Sequence, residues 1–414
     1  MSGFVYAIAT MDTKAVELKY VADCLRGAGV QVRMVDVGAS EQKRFSPDVT
    51  REQVRAGKPE KPSESRAEAI AAMADFLKSY LLNRAADGHV AGVIGIGGSG
   101  GTSLITPAMR ALDIGIPKIM VSTVASGNTA PYVDCSDITM MHSVVDVAGL
   151  NVVSRKILGN AAHAMAGMVR HQVETFSNAS TVGLTMFGVT TPCVDAVRGQ
   201  LEASGHQCLV FHATGTGGRA MESLVESNML TGVLDLTTTE VADEVVGGIF
   251  PAGRDRFERS LEKEVPLVLS LGAVDMVNFG GRDTVPDRFS DRLFHVHNAE
   301  VTLMRTNAVE NRGIANWIAG KLRGAKTPVE ILIPEKGLSA LDAPGQPFYD
   351  PDTNAVLFQT LGEQLRDCHA CRIHRVPQHI NDPEFADAVV KSYARLATSA
   401  GGHRSELEPG RRKG

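Results

Sequence analysis

Short runs rich in valine and isoleucine alternate with longer stretches of helical period along almost the whole sequence. That alternation permits little besides parallel sheets covered by helices on both faces. Phe4 to Ala9 reads as a strand and Ala15 to Gly27 as a helix through Val16, Tyr20, Val21 and Leu25. Val30 to Val37 is a second strand, and a polar stretch from Ser40 to Ser65 leaves the sheet. A helix from Arg66 to about Arg84 leads to a strand at Val90–Ile96; a helix resumes over Ser103 to Leu112, and Pro117 to Val121 is a fourth strand. Val144 to Val173 reads as one long helix. The pattern then restarts with strands at Thr181–Phe187, Cys208–His212 and Gly232–Leu236 and helices at Val194–Ala203 and Ala220–Glu226. Further strands are expected at Val265–Leu271, Val329–Ile333 and Arg372–Val376. The amphipathic stretch Glu300–Arg323 and a terminal helix Pro383–Thr398 would cover the sheet.

The fold class is therefore α/β, with two doubly wound subdomains, each a mainly parallel sheet flanked by helices. The polar run Ser177–Ser180 sets the boundary, giving subdomains at 1–178 and 179–400 and a Gly-rich, charged tail at 401–414 that reads as disordered. A length of 414 residues suits two cores. The net charge of −5 gives no support to nucleic-acid binding. No apolar run approaches the ~20 residues that cross a bilayer, and the N-terminus lacks a basic leader. Six cysteines are sparse for this length and suit a reducing cytoplasm.

The strand at Val90–Ile96 runs into Gly97, Gly98, Ser99, Gly100, Gly101 and Thr102. Four glycines in five positions between a strand and a helix expose successive amides at the positive end of a helix dipole, which suits phosphate. Ser99 and Thr102 add hydroxyls within reach of a magnesium-bound phosphate oxygen. The plain alternative is a tight turn packed on a neighbour. Gly95, Gly97 and Gly100 satisfy GxGxxG, but that fingerprint normally opens the first βαβ unit, and here no carboxylate ends the following strand. No lysine follows the glycines, so a Walker loop is absent too.

Ligands of doubly wound sheets sit beyond the carboxyl ends of strands at the switch point. That rule selects Thr10, Asp12, Thr13 and Lys14 after the first strand and Asp36 at the end of the second. It also selects Ser122, Ser126, Gly127, Asn128 and Thr129 after the fourth. Lys14 would offset triphosphate charge, and Asp12 would hold magnesium through water; a helix-capping role for Asp12 stands equally open.

The segments ATMDTK at 9–14, GGSGGTSLI at 97–105, STVASGNTAPYV at 122–133 and SVVDVAGLN at 143–151 carry a resemblance. So do FHATGTGGRAME at 211–222, LDLTTTEVADEVVGG at 234–248, VPLVLSLGAVDMVNFG at 265–280 and LIPEKGLSALD at 332–342. With these, the chain from Phe4 to Ala397 resembles the tomato mosaic virus resistance protein-like ATP-binding family. The resemblance implies two Rossmann-like subdomains, a homodimer, and ATP with Mg2+ on the first subdomain. It supplies no settled reaction, and the binding of a viral protein by the plant members does not carry over.

In the second half, Thr214, Gly217, Gly218 and Arg219 repeat the glycine-turn logic at another helix start, with Arg219 available as a clamp for a carboxylate or phosphate. Thr237, Thr238 and Glu240 put hydroxyls and a carboxylate at a strand end. Asp275, Asn278, Glu335 and Lys336 also follow apolar strands. These residues suggest a second anion site facing the nucleotide across the domain cleft, with Arg219 as clamp and Asp275 or Lys336 near the reacting group; salt bridging and capping explain them equally well. Cys193 near a helix start reads as a packed small residue. Cys368-His-Ala-Cys371 is half a zinc site without a second half, and His295 and His297 would share one face of a strand.

Three functions compete. One is an ATP- and magnesium-dependent enzyme acting on a small carboxylate or phosphate metabolite by phosphotransfer or ligation. The second is a nucleotide-responsive protein-binding module. The third is an NAD-dependent enzyme.

Overall fold

A computed structural model describes residues 3–40, 44–58, 65–173 and 180–406. The chain divides into two compact units, Met1–Phe176 and Ser177–Gly414. The boundary expected after residue 178 falls outside the described residues.

In the first unit, β1 (Phe4–Ala9), α1 (Met11–Gly27) and β2 (Val32–Asp36) are followed by the short α2 (Arg51–Val54) and the long α3 (Arg66–Ala86). Then come β3 (Val90–Gly97), α4 (Ser99–Arg110), β4 (Lys118–Ser122), α5 (Ala130–Val133), β5 (Thr139–His142) and α6 (Val152–Arg170). The five strands run parallel in the order β2-β1-β3-β4-β5. Alternate residues of β1 feed opposite faces: Val5, Ala7 and Ala9 pack with α1 and α6, whereas Tyr6 and Ile8 pack with α3 and α4. Burial on both faces is why the strands read as unbroken apolar runs.

Three expectations change here. The helix after the glycines starts at Ser99 rather than Ser103, so Ser99 to Thr102 form its first turn. The long helix expected from Val144 starts only at Val152, where Asn151 and Ser154 form a capping box; Val144 and Gly149 hold positive φ, which breaks any earlier helix. β5 is a fifth strand that the short, Met-rich TMMH did not announce.

The second unit runs β6 (Thr181–Met186), α7 (Thr191–Ala203), β7 (Gln207–His212), α8 (Thr216–Glu226), β8 (Gly232–Thr237), α9 (Thr239–Val246), α10 (Glu258–Glu262) and β9 (Leu267–Gly272). It continues with β10 (Met276–Phe279), β11 (Phe294–Asn298), β12 (Val301–Arg305), α11 (Ala308–Leu322), β13 (Val329–Pro334), α12 (Pro351–Gln364), β14 (Cys371–Val376) and α13 (Pro383–Glu406). Six strands form a parallel sheet ordered β14-β13-β9-β8-β6-β7, and β10-β12-β11 form a small antiparallel sheet. The stretch 300–323 is thus a strand and a helix, because Asn307 caps α11 through the Val309 and Glu310 amides. His295 and His297 do lie on a strand, β11. Residues 401–406 of the expected tail continue α13 as helix, and 407–414 lie outside the described residues.

Counted from its own first strand, each large sheet has the order 2-1-3-4-5, extended by a sixth strand in the second unit. Both are doubly wound Rossmann-like sheets, with switch points between β1 and β3 and between β6 and β8.

Candidate functional site

At the first switch point, a cavity of about 350 Å³ lies among the starts of α1, α3 and α4. The Asp36 carboxylate organises one wall: its Oδ1 accepts from the Met11 amide at 3.0 Å and the Gly38 amide at 2.8 Å. Burial pushes the Asp36 carboxyl up, and the two amides oppose that shift. Asp12 Oδ2 accepts from the Ala39 and Ser40 amides at 3.1 and 3.2 Å. Its Oδ1 is buried and has no hydrogen-bond partner among the described residues. Gly38 is required where it stands, since a Cβ would come within 2.9 Å of Asp12 Oδ1 and 3.1 Å of Asp36 Oδ1. Lys14 breaks the helical geometry of α1 (φ −124°, ψ 21°) and lines the cavity.

The opposite wall is the start of α4. Gly98 is its N-cap and offers no side chain, so no side chain caps this helix. The first amides of a helix have no partner within it, and Ser99, Gly100 and Gly101 line the cavity. Arg66, the first residue of α3, completes the rim; its Nη2 is 3.9 Å from where a Gly100 Cβ would sit. A glycine-rich helix start, two cations and a carboxylate oxygen without a partner make an arrangement suited to an anionic ligand with a bound cation.

Thr10, Asp12, Thr13, Lys14, Gly98, Ser99, Gly100 and Gly101 therefore meet at one crevice, with Asp36 behind it. The rest of the expected set does not. Gly97 serves packing, since its Cβ would lie 2.9 Å from Gly101 Cα. The hydroxyls of Thr102 and Ser122 are buried and bonded to each other at 2.6 Å, and Thr102 also donates to the Gly98 carbonyl. They pin the turn rather than face a phosphate. Ser126, Gly127, Asn128 and Thr129 follow β4, one strand beyond the switch point, and none lines the cavity. Asn128 instead accepts from the Ala130 amide.

In the second unit, the start of α8 is already filled. The Gly215 and Gly218 amides donate to Glu240 Oε1 at 2.6 and 3.3 Å. Arg256 pairs with Glu240 and with Asp235, both at 2.9 Å, and all three side chains are fully buried. A Cβ on Gly218 would strike the Arg256 guanidinium, and one on Gly217 the His212 carbonyl. The Thr237 hydroxyl bonds that of Thr190, Thr238 donates to the Ser270 carbonyl, and Thr214 donates to the His212 carbonyl. The anion expected at this turn is the chain's own carboxylate. Arg219, half-buried on α8, follows the edge strand β7, whereas Lys336 follows β13, four strand spacings away or about 19 Å. Lys336 is exposed beside a separate cavity of about 550 Å³ shared with Tyr349, His379 and Asp382. Asn278 donates to Asp243, and Glu335 pairs with Arg375. No group of three or more His, Cys, Asp or Glu among the described residues is arranged to hold a metal ion.

Comparison with known proteins follows the same two-unit division. Residues 3–174 match the N-terminal domain, and residues 179–397 the C-terminal domain, of the Uncharacterised protein family (UPF0261). The chain belongs to the UPF0261 family. It is similar to a UPF0261 protein of Rhizobium meliloti (strain 1021), 50% identical over 95% of this chain and 99% of that one. It also resembles the ToMV susceptible protein tm-1(GCR26) and the ToMV resistance protein Tm-1(GCR237) of Solanum lycopersicum, at 46% and 45% identity. These two alignments cover 96% and 95% of this chain but only 56% of each tomato protein. No helix of the described residues in this UPF0261 chain is long and apolar enough to cross a membrane.

Reading the UPF0261 sequence missed Arg66 and the Ala39 and Ser40 amides. A helix that feeds a parallel strand starts at the edge where ligands sit, so the first residue of α3 carried a usable signal. Asp275, expected near a reacting group, is fully buried and accepts from the Ser339 hydroxyl at 2.8 Å. Burial, then the neighbouring Asp342, push its carboxyl up to about 7. Its ordinary value is 3.8, so the folded state holds a proton that the unfolded chain releases. Asp275 therefore stabilises the fold at low pH, and that contribution fades as pH rises from about 4 to about 7. The urea midpoint of the protein falls over this window, and Asp275→Asn removes its share of the slope, on the order of a few kcal/mol. Equal slopes for both proteins would remove the buried-acid assignment.

Proposed function

We propose that the first unit binds ATP with magnesium in the crevice between β1 and β3. The single observation that carries this reading is the uncapped start of α4, whose Ser99, Gly100 and Gly101 face a cavity also lined by Lys14, Arg66 and Asp12. Backbone amides there take phosphate oxygens, and the two cations offset polyphosphate charge. Asp12 Oδ1 fits magnesium, which binds through one or two carboxylates, phosphate oxygens and water. The metal would neutralise phosphate charge and fix the orientation of the chain of phosphates. Thr102 and Ser122 take no part, since their hydroxyls are spent inside the turn.

The reading extends to an ATP-dependent enzyme acting on a small carboxylate or phosphate, in a cytoplasmic homodimer. The three candidate catalytic groups no longer form one constellation, and Lys336 beside its own cavity is the member left facing solvent. ADP release with a panel of carboxylates and phosphates tests turnover. A second reading, a nucleotide-responsive binding module, draws on the names of the tomato relatives, which refer to ToMV susceptibility and resistance; ATP binding without product under any substrate would favour it. NAD is the weakest ligand, and a competition titration against ATP excludes it if NAD fails to displace.

Isothermal titration with Mg·ATP is the direct test. Lys14→Ala and Arg66→Ala should each weaken binding about tenfold or more, with a steeper salt dependence in the native protein than in either variant. Native affinity in both variants would remove the crevice from consideration.

A further inference from the structure

Among the described residues, Cys368 and Cys371 lie together, and none of the six cysteines is in a disulfide. The Cys371 amide donates to the Cys368 carbonyl at 3.0 Å, which closes a turn between α12 and β14. Such a turn brings its end Cα atoms within about 7 Å, and disulfides span roughly 4.4–6.8 Å. The Cys368 thiol donates to Cys371 Sγ at 2.8 Å. Both side chains are partly exposed. Both sulfurs also lie over the Leu322 carbonyl, at 3.7 and 3.6 Å, at the last residue of α11. That carbonyl is one of the four a helix end leaves without an internal partner. By contrast, Cys193 is buried, with its thiol pushed up to about 12 by that burial.

We propose that Cys368 and Cys371 form a thiol–disulfide exchange site, which a small-molecule disulfide such as oxidised glutathione converts to an intramolecular disulfide. Cys368 loses its proton to solvent, and its sulfur attacks one sulfur of the small disulfide. The small disulfide bond breaks, and the first small thiol leaves after taking up a proton. Cys371 then gives up its proton and attacks the Cys368 sulfur, which expels the second small thiol, protonated in turn. Two electrons pass from the protein dithiol to the small disulfide, so no further oxidant is needed. Burial pushes the Cys371 thiol up, which makes it the resolving partner rather than the first attacker. Closing the bond also removes S–H donors from the Leu322 carbonyl.

Trypsin cuts after Arg366 and Arg372, and the released peptide 367–372 contains both cysteines and no others. The full chain is equilibrated with graded ratios of oxidised to reduced glutathione, acid-quenched, alkylated and analysed by mass spectrometry. The expected peptide escapes alkylation and is lighter by two hydrogens once oxidised glutathione dominates. Cys371→Ser accumulates glutathione on Cys368, whereas Cys368→Ser forms its adduct at least tenfold more slowly. A peptide that stays doubly alkylated at every ratio overturns the site, as do glutathione adducts on both cysteines without an internal bond. Protection of both thiols by one equivalent of zinc per two chains would replace it with a shared metal site.

Discussion

Replacing Gly100 with valine is expected to remove Mg·ATP binding while the far-UV circular dichroism stays native. Gly100 does not occupy the left-handed region, and the nearest atoms to its missing Cβ are Ile70 Cδ1 at 3.5 Å and Arg66 Nη2 at 3.9 Å. The fold therefore accepts a side chain there. A glycine within a helix costs up to about 1 kcal/mol relative to better helix formers, so the variant should be no less stable than the native protein. The new isopropyl group, however, would project toward Ile70 and Arg66, into the cavity that Ser99, Gly100 and Gly101 line. Loss of two charge-assisted hydrogen bonds, at about 1.5–3 kcal/mol each, weakens binding at least about 100-fold. Gly97→Ala is the contrasting control. Its Cβ meets Gly101 Cα at 2.9 Å, so it should lower the melting temperature whatever it does to the ligand. Unchanged ATP affinity in a folded Gly100→Val protein would show that the start of α4 holds no phosphate.

The second large effect concerns stability. Arg256→Ala should cost about 3–5 kcal/mol, because it leaves Asp235 and Glu240 buried without a counter-charge. Urea unfolding measures it directly. The variant should recover part of the loss on acidification, since protonating either carboxyl removes the uncompensated charge; the native protein should gain less at this locus, because Arg256 opposes the burial that pushes the Glu240 carboxyl up. Arg256→Leu combined with Glu240→Leu and Asp235→Leu would lose far less than the single change if desolvated charge is the cause. A loss below about 1 kcal/mol for Arg256→Ala would mean that water reaches the carboxylates.

The two parallel sheets were legible because runs such as Val5 to Ala9 and Val90 to Ile96 are apolar on both faces, a pattern that survives without any tertiary information. The small antiparallel sheet was not, because MVNF, FHVHN and VTLMR mix polar and apolar residues over four or five positions and take their conformation from pairing partners. At the candidate site, the glycines and Asp12 to Lys14 were legible from strand-end position. Thr102 and Ser122 misled because a hydroxyl at a strand end looks the same whether it faces a ligand or a neighbouring hydroxyl. The turn at 214–219 misled for a related reason: sequence marks a helix start that needs an anion but not the remote Glu240 that satisfies it.

That last pairing has a consequence for how each unit responds to its surroundings. Helix α8 has its counter-charge tethered through the backbone, so dilution or dialysis cannot strip it away. On the reading proposed above, α4 borrows its counter-charge from solution and is stabilised by RT ln(1 + [L]/Kd). Thermal resistance of residues 3–173 should thus track the nucleotide concentration of the buffer, while the neighbourhood of α8 should answer to acidity alone.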